Sequence, residues 1–244
     1  MATLKPVGPA AAATALPPLR VYPRWSQPER LRRRQLSRGW RSGLSRGDRR
    51  LKRALDLGLC ALLAVPVAVV VAIAAAAVRL DSPGSPWFIQ LRVGENGRGF
   101  RMWKLRTMVQ DAEGMEKKLA HLNELPWPDF KICRDPRVTR VGRWLRRSSI
   151  DELPQAWNVL RGEMSWVGPR PTSFGLKNYE LWHTERLSTP PGITGLWQVL
   201  ERAACDFDQR LRLDLAYVRH WSLGLELAIL WATVGAVAGG RGAK

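Results

Sequence analysis

Residues Leu57–Val78 read LGLCALLAVPVAVVVAIAAAAV, an uncharged run broken by a single proline, Pro66. A stretch of this length can cross a hydrocarbon core of roughly 30 Å. It is too long, and too far from Met1, to be a cleaved signal peptide. Two features argue against a plain crossing. Pro66 removes a helix hydrogen bond and favours a kink. Both flanks are basic, with Arg49, Arg50, Lys52 and Arg53 before the run and Arg79, Arg92, Arg98 and Arg101 after it. Basic residues tend to stay on the cytoplasmic side, which would keep both ends there. A helix that enters, bends at Pro66 and returns satisfies both facts; a kinked full span is the alternative.

Working outward, residues 1–48 form a tail, rich in Ala and Pro at first and then strongly basic, with Arg32-Arg33-Arg34 inside it. So few apolar residues predict disorder in the free chain. Near an anionic lipid surface each Lys or Arg would contribute on the order of 1 kcal/mol. Residues 49–80 hold the membrane-associated helix, and residues 81–240 read as a cytoplasmic domain. In that domain Trp87–Gln90 and Phe100–Trp103 flank Asn96-Gly97, a strong hairpin signal. Asp111–Glu124 reads as a polar amphipathic helix, Val138–Leu145 as a short basic one, and Trp157–Leu160 as a helix that Gly162 ends. Phe207–Tyr217 and Leu223–Val237 read as two further helices. The second is apolar almost all round, with Glu226 its only charge, and Trp221 and Trp231 suit headgroup depth. The fold class expected is α+β and mostly helical. It combines a proline-broken re-entrant helix, a small β-hairpin and an interfacial C-terminal helix.

Thirty-nine Lys and Arg against 21 Asp and Glu give a formal charge of +18. Such a field attracts polyanions, whether nucleic acid, anionic lipid or phosphorylated substrates. Cys60, Cys133 and Cys205 are widely separated, and neither they nor His121, His183 and His220 show metal-ligand spacing.

The chemistry concentrates in Arg143–Pro171, RWLRRSSIDELPQAWNVLRGEMSWVGPRP. Pro154 is tolerated only in the first turn of a helix, so a helix is expected to begin between Ser149 and Asp151. Asp151 and Glu152 then sit at its N-terminus, where negative charge is stabilised. Ser149 and Glu152 also match a capping box, so a plain cap is the competing reading. Arg146 and Arg147 precede the pair. Lys104 and Arg106 close the hairpin, Gly168-Pro169-Arg170-Pro171 presents Arg170 on a rigid turn, and Pro191–Gly195 offers glycines for close backbone approach. This density of basic turns around two carboxylates suits phosphoryl chemistry.

The order of these motifs resembles the bacterial sugar transferases, the monotopic polyprenyl-phosphate phosphoglycosyl transferases, from about Arg50 to Gly239. The matching segments are Lys52-Arg53-x-x-Asp56, Asp81–Pro86, Lys104–Met108, Asp135–Gly142, Asp151–Gln155, Val167–Pro171 and Pro191–Gly195. The resemblance implies transfer of a sugar-1-phosphate from a nucleotide diphosphate sugar, with a UDP-sugar expected, to undecaprenyl or another polyprenyl phosphate. It implies a covalent phosphosugar on Asp151, with Glu152 helping to hold Mg²⁺ and Arg146 neutralising the diphosphate. Together with the basic pattern it nominates Lys104, Arg106, Arg146, Arg170, Gln198 and Asp214 as substrate-binding residues. It places the chain at the bacterial inner membrane, active site toward the cytoplasm, initiating exopolysaccharide or glycoconjugate synthesis. Membrane lipids are expected partners, nucleic acid is not, and homo-oligomerisation is left open. The chain departs from the family pattern at Val65, Glu163, Thr189-Pro190 and Leu200-Glu201-Arg202; with Val65 in place of the serine that often precedes the proline, a hydroxyl that could satisfy the backbone groups freed at Pro66 is absent. Two competitors are a nucleic-acid binder, which the apolar run and carboxylate pair oppose, and an inactive membrane scaffold, which the intact pair opposes.

Overall fold

The computed structural model describes residues 44–116, 118–124, 132, 134–172, 180, 182–200 and 207–238. Helix α1 runs Arg46–Asp81 without interruption, Pro66 included. It begins slightly ahead of the boundary read from composition, because Ser45 and Asp48 form a capping box: Ser45 Oγ accepts from Asp48 N at 3.1 Å and Asp48 Oδ2 from Ser45 N at 2.9 Å. Among the described residues it is the one helix long and apolar enough to cross a membrane. Its outward face carries Leu62, Val65, Val69 and Ile73, all exposed.

Strands β1 (Trp87–Val93) and β2 (Gly99–Leu105) pair antiparallel, with Trp87 opposite Leu105 and Val93 opposite Gly99. The turn between them is the one expected: Asn96 (φ 54°) and Gly97 (φ 71°) both take the left-handed conformation that such hairpins need. Phe100, Met102 and Leu105 are buried. Helix α2 (Ala112–Glu116) and a 3-10 turn at Ala120–Leu122 stand where one longer amphipathic helix was expected. The reason is a thin apolar face: Ala112 is buried but Leu122 is exposed, so a continuous helix would have little to pack.

Helix α3 (Arg140–Ser148) starts at Thr139, whose Oγ1 accepts from Gly142 N, and Asp81 Oδ2 accepts from Val141 N at 3.1 Å. The end of α1 thus fastens the start of α3. A 3-10 helix (Ile150–Gln155) leads into α4 (Ala156–Leu160). Strands β3 (Ser165–Val167) and β4 (Gly192–Thr194) pair in parallel. Helices α5 (Leu196–Leu200), α6 (Phe207–Arg219) and α7 (Leu223–Ala238) complete the domain.

Both ends of α1 pack on this one domain. Near its start, Cys60 joins Phe100, Met102, Val159, Met164 and Trp166 in a buried cluster. Toward its end, Ala74 and Val78 join Leu105 and Leu145. Polar anchors reinforce the first contact. Asp56 Oδ1 accepts from Ser165 Oγ (2.8 Å) and Trp166 N (2.9 Å), and Arg53 donates to the carbonyls of Val159 and Leu160 at the end of α4. Lys52 is buried against Glu226 and donates to the Val167 carbonyl at 2.7 Å. Glu226, the lone charge of α7, also accepts from Tyr217 Oη and Trp221 Nε1, each at 2.8 Å. Helix α7 is therefore two-faced: Glu226 and Ile229 face the core while Leu227, Trp231 and Val234 are exposed.

Candidate active site

Arg146 lies in the last turn of α3, after which Ser149 turns left-handed (φ 57°, ψ 17°). A non-glycine residue there costs on the order of 1–3 kcal/mol. The turn redirects the chain into the 3-10 helix that carries Asp151 and Glu152 in its first turn. A helix does begin where Pro154 required, but it is 3-10 before it is α. The expected capping box is absent, since the Ser149 side chain makes no cap bond. Glu152 points elsewhere.

Glu152 is held by two cations from two different loops. Its Oε1 accepts from Lys104 Nζ at 2.8 Å and Arg170 Nη2 at 2.5 Å, and its Oε2 accepts from Arg170 Nη1 at 3.1 Å. Burial by itself would raise the Glu152 carboxyl, yet Arg170 and then Lys104 outweigh it and hold the group well below the usual carboxylate range. Asp151 behaves in the opposite way. Burial, then the neighbouring Glu152 charge, push it up to about 6 against the pull of Lys104, Arg146 and Arg170. At about 6 the carboxyl is still mostly ionised at neutral pH, with the three cations opposing the larger desolvation penalty. Burial also lowers Lys104, with Glu152 opposing it.

Arg146 donates through Nε to Thr107 Oγ1 at 2.8 Å, which aims it from α3 toward the Asp151 side of the site. Thr107 itself is fixed by backbone pairing of Thr107–Val109 with Arg137–Thr139. Two family segments thereby support one arginine. Arg170 is positioned from behind: its own carbonyl accepts from Arg186 Nη2 at 2.5 Å, and the same Nη2 donates to Asp214 Oδ2 at 2.5 Å. Asp214 is buried, which raises its carboxyl to about 6 despite Arg186.

Of the residues nominated from sequence, Asp151, Glu152, Lys104, Arg146 and Arg170 converge. Asp214 reaches the site through Arg186 and the Arg170 backbone. Arg106 turns to the loop after α1, donating to the carbonyls of Pro83 (2.6 Å) and Ser82 (2.9 Å). Gln198 Nε2 donates to the Ile193 carbonyl at 3.1 Å, inside the Pro-Gly loop. The glycines of that loop serve chain packing: a Cβ on Gly192 would lie 2.0 Å from Gly168 N, so the backbones of the two loops touch. Glu201 and Arg202 lie outside the described residues. Sequence reasoning missed Arg186 and Thr107, whose partners are far away in the chain. Glu163 accepts from Asn158 Nδ2 at 2.7 Å, and Asn158 in turn bonds Trp103 N and the Arg101 carbonyl along β2.

Among the described residues no group of three or more His, Cys, Asp or Glu converges to hold a metal. A divalent cation here would draw on Asp151 and Glu152 and fill its shell with phosphate oxygens and water, which is how Mg²⁺ is commonly bound. Glu152 has about four lone-pair sites, and the Lys104 and Arg170 bonds leave one open. The residues therefore fit such an ion.

Beside the carboxylates lies a groove of about 620 Å³, bounded by Cys60, Leu63, Ala64, Val67, Ala68 and Val71 of α1 and by Leu153, Pro154, Ala156, Trp157 and Leu160 below. Trp87 and Trp103 of the hairpin, in edge-to-face contact at 6.3 Å, and Trp166 of β3 complete its lining.

Comparison with known proteins follows the same pattern. The chain is 44% identical over 169 residues to "Galactosyl transferase CpsE" of Streptococcus agalactiae, covering 68% of this chain and 37% of that protein. It is 40% identical over 206 residues to "Undecaprenyl-phosphate glucose phosphotransferase" of Komagataeibacter xylinus, 80% of this chain and 37% of the other. The chain thus spans well under half the length of these relatives. It is 35% identical over 196 residues to "Exopolysaccharide production protein ExoY" of Sinorhizobium fredii, with 78% of this chain and 87% of that one covered. The model of the family described as bacterial sugar transferase matches residues 47–240, and with these identities the chain belongs to the bacterial sugar transferase family.

Proposed function

We propose that this chain transfers a sugar-1-phosphate from a UDP-sugar to undecaprenyl phosphate, or a similar polyprenyl phosphate, through a covalent intermediate on Asp151. The observation that carries this reading is the asymmetry of the carboxylate pair. Glu152 is clamped by Arg170 and Lys104, whereas no hydrogen bond or ion pair to another described residue engages Asp151. A carboxylate with no bonded side-chain partner among the described residues, yet within the field of Lys104, Arg146 and Arg170, suits a nucleophile; a clamped one suits an anchor.

Asp151 Oδ attacks the sugar-linked phosphorus of the donor. The bond from that phosphorus to the bridging oxygen breaks, and nucleoside monophosphate leaves with the electron pair. An oxygen of the polyprenyl phosphate then attacks the same phosphorus and releases Asp151, giving a polyprenyl diphosphate sugar. Lys104, Arg146 and Arg170 screen the diphosphate charge that would otherwise repel an anionic nucleophile. Mg²⁺, held through Glu152 with Asp151 alongside, would supply further neutralisation of the diphosphate when bound. Names among the relatives carry galactose, glucose and N-acetylgalactosamine, which supports a sugar of this size and selects none of the three.

Helix α1 supports a membrane-attached, non-crossing arrangement at the cytoplasmic face of the inner membrane. Its start (Lys52, Asp56, Cys60) and its end (Ala74, Val78, Asp81) are bound to one domain, and the segment between carries exposed apolar residues around Pro66. A helix crossing a full bilayer would separate those ends. The test of the chemistry is incubation with a donor labelled in its sugar. Wild type is expected to trap label on the protein and release nucleoside monophosphate, and Asp151→Asn to do neither. Turnover retained in Asp151→Asn would overturn the assignment.

A further inference from the structure

We propose that the groove under the middle of α1 is the seat of the first isoprene units of the acceptor's hydrocarbon chain. The inference rests on the transferase reading above and adds to it a second, apolar half of the acceptor site.

Three observations point to an amphiphile rather than to a protein segment or a sugar. The lining is apolar throughout, and four of its side chains are the tryptophans Trp87, Trp103, Trp157 and Trp166. At about 620 Å³ the volume falls within the roughly 300–1,000 Å³ of small-molecule sites, too large to be a packing defect. Its floor is continuous with the catalytic pair, because Leu153 and Pro154 directly follow Glu152 in the same 3-10 helix. A molecule filling it while presenting an anion to Lys104, Arg146 and Arg170 needs a phosphate joined directly to hydrocarbon.

The groove exists because α1 is pinned at both ends. Cys60 is buried against β2, α4 and β3, and Ala74 is buried against Leu105 and Leu145. The helix between them, about 20 Å at 1.5 Å per residue, passes over the groove with Leu63, Ala64, Val67, Ala68 and Val71 in its lining. Ala64 and Ala68 are small and exposed. Trp157 is also half exposed, so the groove opens along the apolar face that α1 presents to lipid. A chain lying in it passes from the carboxylates to the bilayer without crossing polar surface.

The experiment uses the full chain in lipid nanodiscs with two acceptors, a long polyprenyl phosphate and a water-soluble short-chain prenyl phosphate. Ala64→Trp and Ala68→Trp add bulk to the groove from exposed positions. The ratio of kcat/KM for the long over the short acceptor is expected to fall about tenfold or more, the factor that corresponds to 1.4 kcal/mol of lost binding. Val69→Trp, on the outward face of the same helix, is expected to leave the ratio unchanged. A ratio unmoved by the two groove variants, or lowered equally by Val69→Trp, overturns the proposal.

Photo-crosslinking keeps the test open if a groove variant fails to fold. A polyprenyl phosphate carrying a photoreactive group near its phosphate is expected to label wild-type peptides containing Ala64–Val71 or Trp157. Unlabelled polyprenyl phosphate should compete and phosphatidylglycerol should not. Equal competition by phosphatidylglycerol assigns the groove to bulk lipid and overturns the proposal. A wild type that transfers nothing from any donor tells against the transferase reading instead, and the crosslinking result still decides the groove.

Discussion

Arg170 meets Glu152 end-on, Nη2 at 2.5 Å from Oε1 and Nη1 at 3.1 Å from Oε2, so that one planar guanidinium spans both oxygens of one carboxylate. Lys104 adds a third bond to Oε1 from the far strand of the hairpin. This fork is why Glu152 and its sequence neighbour Asp151 behave so differently. Glu152 has its charge matched at bonding distance; Asp151 feels the same cations only through space.

Geometry of that kind is not shared by lysine, whose single ammonium cannot span two oxygens. Arg170→Lys keeps the charge and loses the fork. A hydrogen bond to a charged group is worth about 1.5–3 kcal/mol, so kcat/KM is expected to fall roughly 10- to 100-fold. Steady-state release of nucleoside monophosphate measures it. A change of less than twofold would mean that the fork does not matter to turnover.

Asp151 predicts an acid limb and a paradox of stability. Its carboxyl stands at about 6, so activity is expected to fall as pH drops through that value. Because the folded value lies above the ordinary value of 3.8, the folded protein binds the extra proton between those two points. Stability contributed by this group therefore rises as pH falls from about 6 toward 4. Asp151→Asn removes a desolvated charge, so it should abolish turnover yet raise stability at pH 7–8 by roughly 1–2 kcal/mol, seen as a higher melting temperature. The gain should vanish near pH 4. Melting curves of both proteins across pH check the sign.

The relation between these carboxylates and the sequence is instructive. Asn96-Gly97 announced the hairpin because a turn with two left-handed residues has few sequence solutions. Pro154 located the start of a helix, and the basic turns carrying Lys104 and Arg170 were visible as charge. What could not be read was who pairs with whom. Arg106 and Arg146 look alike on paper, yet one closes on Ser82 and Pro83 while the other stands over the site. Ser149 hid its left-handed turn behind a capping-box pattern that Glu152, drawn to Arg170, does not complete. The Asp111–Glu124 helix failed for lack of a surface to bury, a tertiary fact that local periodicity does not contain. The tie from Arg186 to Asp214 joins residues in elements that local patterns cannot bring together.

That tie is open to its own test. Arg186 and Asp214 are both almost fully buried, and Arg186 also holds the Arg170 carbonyl. Removing one partner of a buried pair strands the other, at about 3–5 kcal/mol. Asp214→Ala is expected to lower the melting temperature on the order of 10 °C. Asp214→Asn, which keeps a hydrogen-bond acceptor, should lose less stability, and its residual activity reports how far Arg170 has shifted. Equal melting temperatures for wild type and Asp214→Ala would show that the pair is not structural.

Topology can be read from accessibility. With native cysteines replaced, single cysteines at Arg50 and Ser85 lie in exposed positions at the two ends of α1. Both are expected to resist a membrane-impermeant maleimide in intact cells and to react fully once the membrane is opened. Labelling of either one from outside would mean that α1 crosses the bilayer.

The pair of Lys52 and Glu226 couples α1 to α7 and is expected to show strong non-additivity. Lys52 lies 3% exposed and Glu226 1%, and Glu226 receives further bonds from Tyr217 and Trp221. Lys52→Met leaves an unneutralised carboxylate in the core, and Glu226→Gln leaves an unneutralised ammonium; either should cost about 3–5 kcal/mol. The double variant restores charge neutrality while keeping similar volumes, so it should be more stable than the sum of the two losses implies, by roughly 0.5–3 kcal/mol. Lys52 also donates to the Val167 carbonyl, one residue before the turn that carries Arg170. Activity of the double variant, measured beside its melting temperature, therefore separates two effects. Recovered stability with depressed activity would show that α1 sets the position of Arg170 through Val167, and recovery of both would confine the pair to holding the helices together.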